Sequence, residues 1–195
     1  MAAERIRRLA ADERLAWHAG FWWGLAEGVA FFIVPDVYIS FAALFSLRAG
    51  AVAWTASIAG SLVAIVAIRV LTALPAVNYL AFLETVPGIS GGLIQQVSET
   101  VAAAGLPYTP FLALGGVPLK LYGAAAFSSG LGLGPVLLWT GFARLVRIAP
   151  TFLAVAVVRG LFQRRIDGRA GVWLAGLLLF WVAFYAWYFA RMSRL

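Results

Sequence analysis

Five ionisable side chains stand in or beside apolar runs of this chain: Glu27, Asp36, Lys120, Arg144 and Arg147. A charge kept at membrane depth costs about 2.5 to 3.5 kcal/mol on insertion scales, so it is usually paired or functional. Asp36 follows Pro35 in GFWWGLAEGVAFFIVPDVYIS, residues 20–40. Two roles are open to it: a carboxylate facing a cavity, or a cap for the free N–H groups of a helix start. Glu27, nine residues earlier, either reaches the same cavity or sits among the headgroups. Lys120, the sole lysine, follows Pro118 by two positions, as Asp36 follows Pro35 by one; it meets the first tip or snorkels to the interface. Arg144 and Arg147 are three apart in GFARLVRIAP and share one helix face. They could clamp a phosphate or simply mark the cytoplasmic side. Such a set suits holding an anionic headgroup and exchanging a proton.

Other chemistry has few residues to work with. The chain has no cysteine and one histidine, His18, which removes thiolate catalysis and Cys-based metal sites and disfavours a His-rich centre. No histidine lies beside the arginine pair as general acid, so the expectation is a protein that is not an enzyme and needs no cofactor. VPGISGG superficially suggests a phosphate loop, but no basic residue adjoins it; it reads as a turn before a helix.

The elements that must hold these residues are membrane elements. The chain has 195 residues, is 63% hydrophobic and 12% charged, and apolar runs recur along it. That is the composition of an integral membrane protein, and the hydrophobicity defeats the nucleic-acid reading that 15 basic against 8 acidic residues invite. No cleavage site follows the basic start, so the N-terminus is expected to be retained. Arg5, Arg7, Arg8 and Arg14 suggest a cytoplasmic N-terminus, and Arg159, Arg164, Arg165 and Arg169 a second cytoplasmic loop.

The expected layout is all-α. Residues 1–18 form an amphipathic surface helix, 50–71 a membrane span, 90–104 an amphipathic linker helix and 170–190 a last span before a basic tail ending at 195. Arg69 serves as an interfacial anchor, and the tryptophan-rich segments FWWG and FWVAFYAWYF form aromatic belts. Residues 20–34 would make about 20 Å of helix at 1.5 Å per residue, short of the roughly 30 Å hydrocarbon core. Pro35 and Pro118 therefore read as tips of two re-entrant hairpins. Both regions run Val-Pro, a polar or aromatic stretch, small residues with Phe, then Trp-Thr; Pro35 precedes Trp54 by 19 positions and Pro118 precedes Trp139 by 21. Chance similarity competes with duplication, but an inverted repeat over about 21–71 and 106–158, within a membrane domain of 19–169, is a common transporter plan.

FFIVPDVYIS with AWTASIAGSLVA, and GGVPLKLYGAAAFSSGLGLGPVLLWTGFARLVR, resemble the two halves of the DedA/VTT (SNARE-associated Golgi protein) superfamily, particularly its small YqaA-like members. The resemblance covers about residues 21–169 and rests on order and spacing. It implies two inward-facing hairpins among transmembrane helices and movement of phospholipids or polyprenyl phosphates between leaflets, with proton coupling proposed. Asp36 matches the hairpin acid, Lys120 the base of the second hairpin, and Arg144 and Arg147 the arginine pair. Two departures stand: Pro-Asp replaces Pro-Gly-Glu, and the second hairpin has no matching acid. The expected partners are membrane lipids with anionic headgroups, protons and a second copy of the chain, with no nucleic acid, and the expected location is a bacterial inner (plasma) membrane.

Overall fold

The computed structural model describes residues 2–107 and 117–192. The first arm expected for the second hairpin, 106–117, and the basic tail fall largely outside the described residues. Nine helices follow one another among the described residues, without a strand. Three of them, α4 (Leu47–Ala73), α8 (Leu133–Gly168) and α9 (Ala170–Met192), are long and apolar enough to cross a membrane. Their exposed faces are greasy, as on α8, where Leu138, Phe142, Leu145, Leu153, Val157 and Leu161 recur at steps of three, four or eight residues. Such a stripe suits lipid rather than water.

The N-terminal amphipathic segment is divided, in contrast to the single helix expected over 1–18. The Asp12 carboxylate accepts from the N–H groups of Arg14 and Leu15 and so caps a new helix. Helix α1 (Ala2–Ala11) ends before it, and α2 (Glu13–Val29) starts after it. Ile6 and Ala10 of α1 pack on Leu44, Phe45 and Ile166, leaving Arg5 and Arg8 exposed.

Helices α2 and α4 run parallel at backbone contact. Gly20, Gly24 and Gly28 lie against Ala53, Ser57, and Ser61 with Ala64, while Gly60 of α4 meets Phe21 and Leu25 of α2. A stripe of one glycine every fourth residue keeps side chains out of this seam, the usual route to close helix packing in lipid. Between them, α3 (Asp36–Phe45) runs back antiparallel to α4, with Ile39 beside Ala49 and Ala53. Ser46 caps α4 through the Ala49 N–H. By that point the chain has returned to the start of α2, where Arg48 and Glu13 form an exposed ion pair at 2.9 Å. Exposed pairs contribute little, so Arg48→Ala is expected to lower stability by less than about 1 kcal/mol in thermal unfolding.

Beyond α4, Asn78 caps α5 (Tyr79–Glu84) and Ser90 caps α6 (Gly91–Ala104). The VPGISGG segment is the turn before α6, with Gly88 at φ 85°, a conformation open mainly to glycine. Tyr79 donates from its hydroxyl to the Val29 carbonyl at 2.6 Å, tying the end of α2 to α5. Tyr79→Phe should cost about 1 kcal/mol, read as a lower melting temperature.

Helix α7 (Leu119–Ser128) opens at Pro118 and follows the last part of α4. Gly123 lies against Ile65 and Ile68, and Arg69 sits 5.5 Å over the Phe127 ring. Arg69 is exposed and lies over an aromatic face. Helix α8 then runs antiparallel to α4, with Gly141 beside Leu62 and the Trp54 ring tilted against that of Phe152. The loop expected around Arg159 to Arg169 is instead the continuation of α8, which bends at Phe162 and stops only at Arg169. Arg159 donates to the Leu44 carbonyl at 2.7 Å, holding that extension on the end of α3.

Candidate functional site

Glycine spacing on α2 dictates where Glu27 faces. At 3.6 residues per turn Glu27 is rotated about 100° from Gly28, so while the glycines face α4 the carboxylate turns aside. There it meets Arg144 of α8 in a buried ion pair. The neighbour of Glu27, Gly28, lies against Ser61 and Ala64 of α4, and Ser61 is fourteen residues from Leu47 and twelve from Ala73, or about 20 Å from either end at 1.5 Å per residue. The pair therefore lies near mid-height of a spanning helix.

A second pair lies one turn along. The Arg147 guanidinium donates to Asp36 Oδ2 at 3.2 Å, and Thr151 Oγ1 donates to Asp36 Oδ1 at 2.9 Å. Asp36 is the first residue of α3, whose N-cap position is Pro35 without a side-chain cap bond. Its carboxylate bonds α8, a different role from the helix-capping alternative. The two arginines do not form a joint clamp: each has its own carboxylate. Their access differs, because the Arg144 side chain is 1% exposed and that of Arg147 is 21% exposed.

Lys120, buried in the first turn of α7, donates to the Phe31 carbonyl at 2.7 Å. The second proline-started helix thus meets the loop that follows α2, without an ion pair between Lys120 and Asp36 among the described residues. All five sequence-selected residues, Glu27, Asp36, Lys120, Arg144 and Arg147, line one cavity of about 1090 Å³. That volume lies at the upper edge of the roughly 300 to 1,000 Å³ of small-molecule pockets. The charges occupy one part of it. The rest of the wall is hydrocarbon and aromatic, contributed by α8 around Ala154 to Val158 and by α9 from Val172 to Phe184.

Several residues of the site were not selected from sequence. Thr140, Arg144, Arg147 and Thr151 follow at intervals of four, three and four, forming a polar stripe on an otherwise apolar helix. That periodicity was a readable signal. Trp181 and Tyr185 were expected in an aromatic belt, yet both face inward. Trp181 donates its indole N–H to Ser40 Oγ at 2.9 Å, and the Tyr185 hydroxyl accepts from the Val34 N–H at 2.7 Å. These bonds tie α9 to α3 and to the loop before it. Nothing in the spacing of FWVAFYAWYF distinguishes the two from more exposed neighbours such as Trp187. His18 is exposed beside Trp17 and outside the cavity.

No protein-family model, curated protein or solved structure matches this chain. The class that the fold and site define is an all-helical membrane protein whose described residues form a cavity lined by both charged and apolar side chains.

Proposed function

We propose that this protein moves a lipid or lipid phosphate, a phospholipid or a polyprenyl phosphate, between membrane leaflets. The observation that carries the reading is the amphiphilic cavity: Lys120, Arg144, Arg147, Glu27 and Asp36 share its wall with apolar residues of α8 and α9. An anionic headgroup is drawn to Lys120, Arg144 and Arg147 while its chains stay among the apolar residues. Asp36 and Glu27 compete with the headgroup for those arginines. A proton arriving on Asp36 would free Arg147 for the headgroup, which is how proton coupling would enter.

In this reading α2 and α3 form a re-entrant hairpin turning at Pro35. Its support is the Glu13 to Arg48 pair, which joins the two ends of the hairpin on one side, and the contact of Lys120 with Phe31 at its tip. Helix α7, which opens at Pro118, would belong to the inverted counterpart, as the resemblance to the DedA/VTT superfamily implies. The membrane is taken as a bacterial inner membrane, with the basic N-terminus on the cytoplasmic side.

The absence of cysteine allows a direct test. Val158→Cys puts a single thiol on the apolar wall of the cavity. Modification with a bulky maleimide should reduce lipid exchange in proteoliposomes to the rate of protein-free vesicles, while the unmodified variant exchanges normally. Equal exchange before and after modification would remove this route.

A second reading is favoured by one observation, that each arginine is already held by a carboxylate. The charges would then only clamp the hairpin to α8 in a non-catalytic assembly or homeostasis factor. Apolar replacement of Asp36 and Arg147 together would leave cellular function intact under that reading and abolish it under the first.

A further inference from the structure

The charges of the cavity are unevenly answered. Glu27 answers Arg144 and Asp36 answers Arg147, but no carboxylate lies within ion-pair distance of Lys120 among the described residues. Its ammonium belongs to a residue 2% exposed and has one hydrogen-bond partner among the described residues, the neutral Phe31 carbonyl, for three donors. The backbone aggravates the imbalance. Helices α3 and α7 both begin at a proline without a side-chain cap and both begin at the cavity. At α3 the positive helix end is met by Asp36. At α7 the first turn contains no acid and carries Lys120 instead. A cation at a helix N-terminus opposes the macrodipole, and burial removes the water that would screen it. Elsewhere on the same wall, the Arg144 Nε is also buried without a partner.

We infer that Lys120 and the first turn of α7 form an oxyanion subsite, distinct from the arginine pairs, that selects a phosphate group carrying one net negative charge. The ion pairs cancel among themselves, leaving Lys120 as the unanswered charge at the buried end; Arg191, the other cation on the wall, is exposed at the end of α9 beside the Trp187 ring. A phosphodiester headgroup brings the single charge required. A doubly charged phosphomonoester would leave one negative charge over unless it displaced a carboxylate from its arginine. The inference rests on the lipid-moving reading for its ligand being a headgroup; the same chemistry is offered by free phosphate.

The test uses the full chain in neutral detergent, with phosphatidylglycerol, phosphatidylcholine or inorganic phosphate as probe. Melting temperature is followed for the native protein, Lys120→Gln and Lys120→Arg. Phosphatidylglycerol should raise the melting temperature of the native protein and of Lys120→Arg, and bind Lys120→Gln at least about tenfold more weakly. Phosphatidylcholine, with no net charge, should shift all three little. Lys120→Met replaces Lys120→Gln if the latter does not fold. A phosphatidylglycerol shift that is the same with and without the lysine charge, or a phosphatidylcholine shift of equal size in the native protein, would overturn the subsite. A lysine-dependent shift with inorganic phosphate also supports it and assigns recognition to the phosphate group alone. Leaflet exchange measured on the same proteins separates the two claims. Lysine-dependent binding without exchange keeps the subsite and removes lipid movement, whereas exchange with no dependence on Lys120 does the reverse.

Discussion

Glu27→Ala is expected to destabilise the protein by about 3 to 5 kcal/mol, because it leaves the Arg144 guanidinium, 1% exposed, without its carboxylate. The loss should appear as a much lower melting temperature and as poor recovery of folded protein. Replacing both partners, Glu27→Leu with Arg144→Met, removes the stranded charge and should restore much of the stability, since apolar substitution of a whole buried pair is often neutral or better. The restored protein should still fail to move lipid. If Glu27→Ala melts with the native protein, the pair is not the structural tie between α2 and α8 described above.

An effect of similar size is expected at the seam between α2 and α4. A Cβ at Gly24 would collide with the Ser57 backbone, and one at Gly60 with the Phe21 carbonyl. Because the obstructing atoms are backbone, no rotamer change relieves them. Gly24→Leu should therefore exceed the roughly 1 to 3 kcal/mol of ordinary overpacking and separate the two helices. Displacing α2 would carry Glu27 away from Arg144, so unfolding and loss of the site should come together. Gly134→Leu is the control: a side chain there meets open space and should be tolerated. Circular dichroism melts of the three proteins decide the matter, and native-like melting of Gly24→Leu would contradict the packing.

How much could be read in advance depended on the scale of the signal. Helices α4, α6 and α9 were legible because composition and periodicity persist over 14 residues or more. The division of the N-terminal segment at Asp12 and the continuation of α8 past Arg159 were not, since charged residues suit a helix surface as well as a loop. Within the site, intramembrane cost alone singled out the five ionisable residues, and they do line one cavity. Their pairing was out of reach. Glu27 and Arg144 are 117 positions apart, and which carboxylate meets which arginine is decided by the rotation of α2 about its glycine stripe. That stripe, GFWWGLAEG, is itself legible as one glycine every fourth residue.

The most direct measurement of the central claim is leaflet exchange in proteoliposomes with a fluorescent phospholipid and a polyprenyl phosphate, comparing the native chain, Asp36→Asn and protein-free vesicles. A lipid-moving protein should exchange at least one of the two lipids well above the protein-free rate, and Asp36→Asn should change that rate, because Asp36 holds Arg147 and Thr151 at the cavity wall. Exchange of neither lipid by folded, inserted native protein would contradict the account and leave its buried charges a structural role alone.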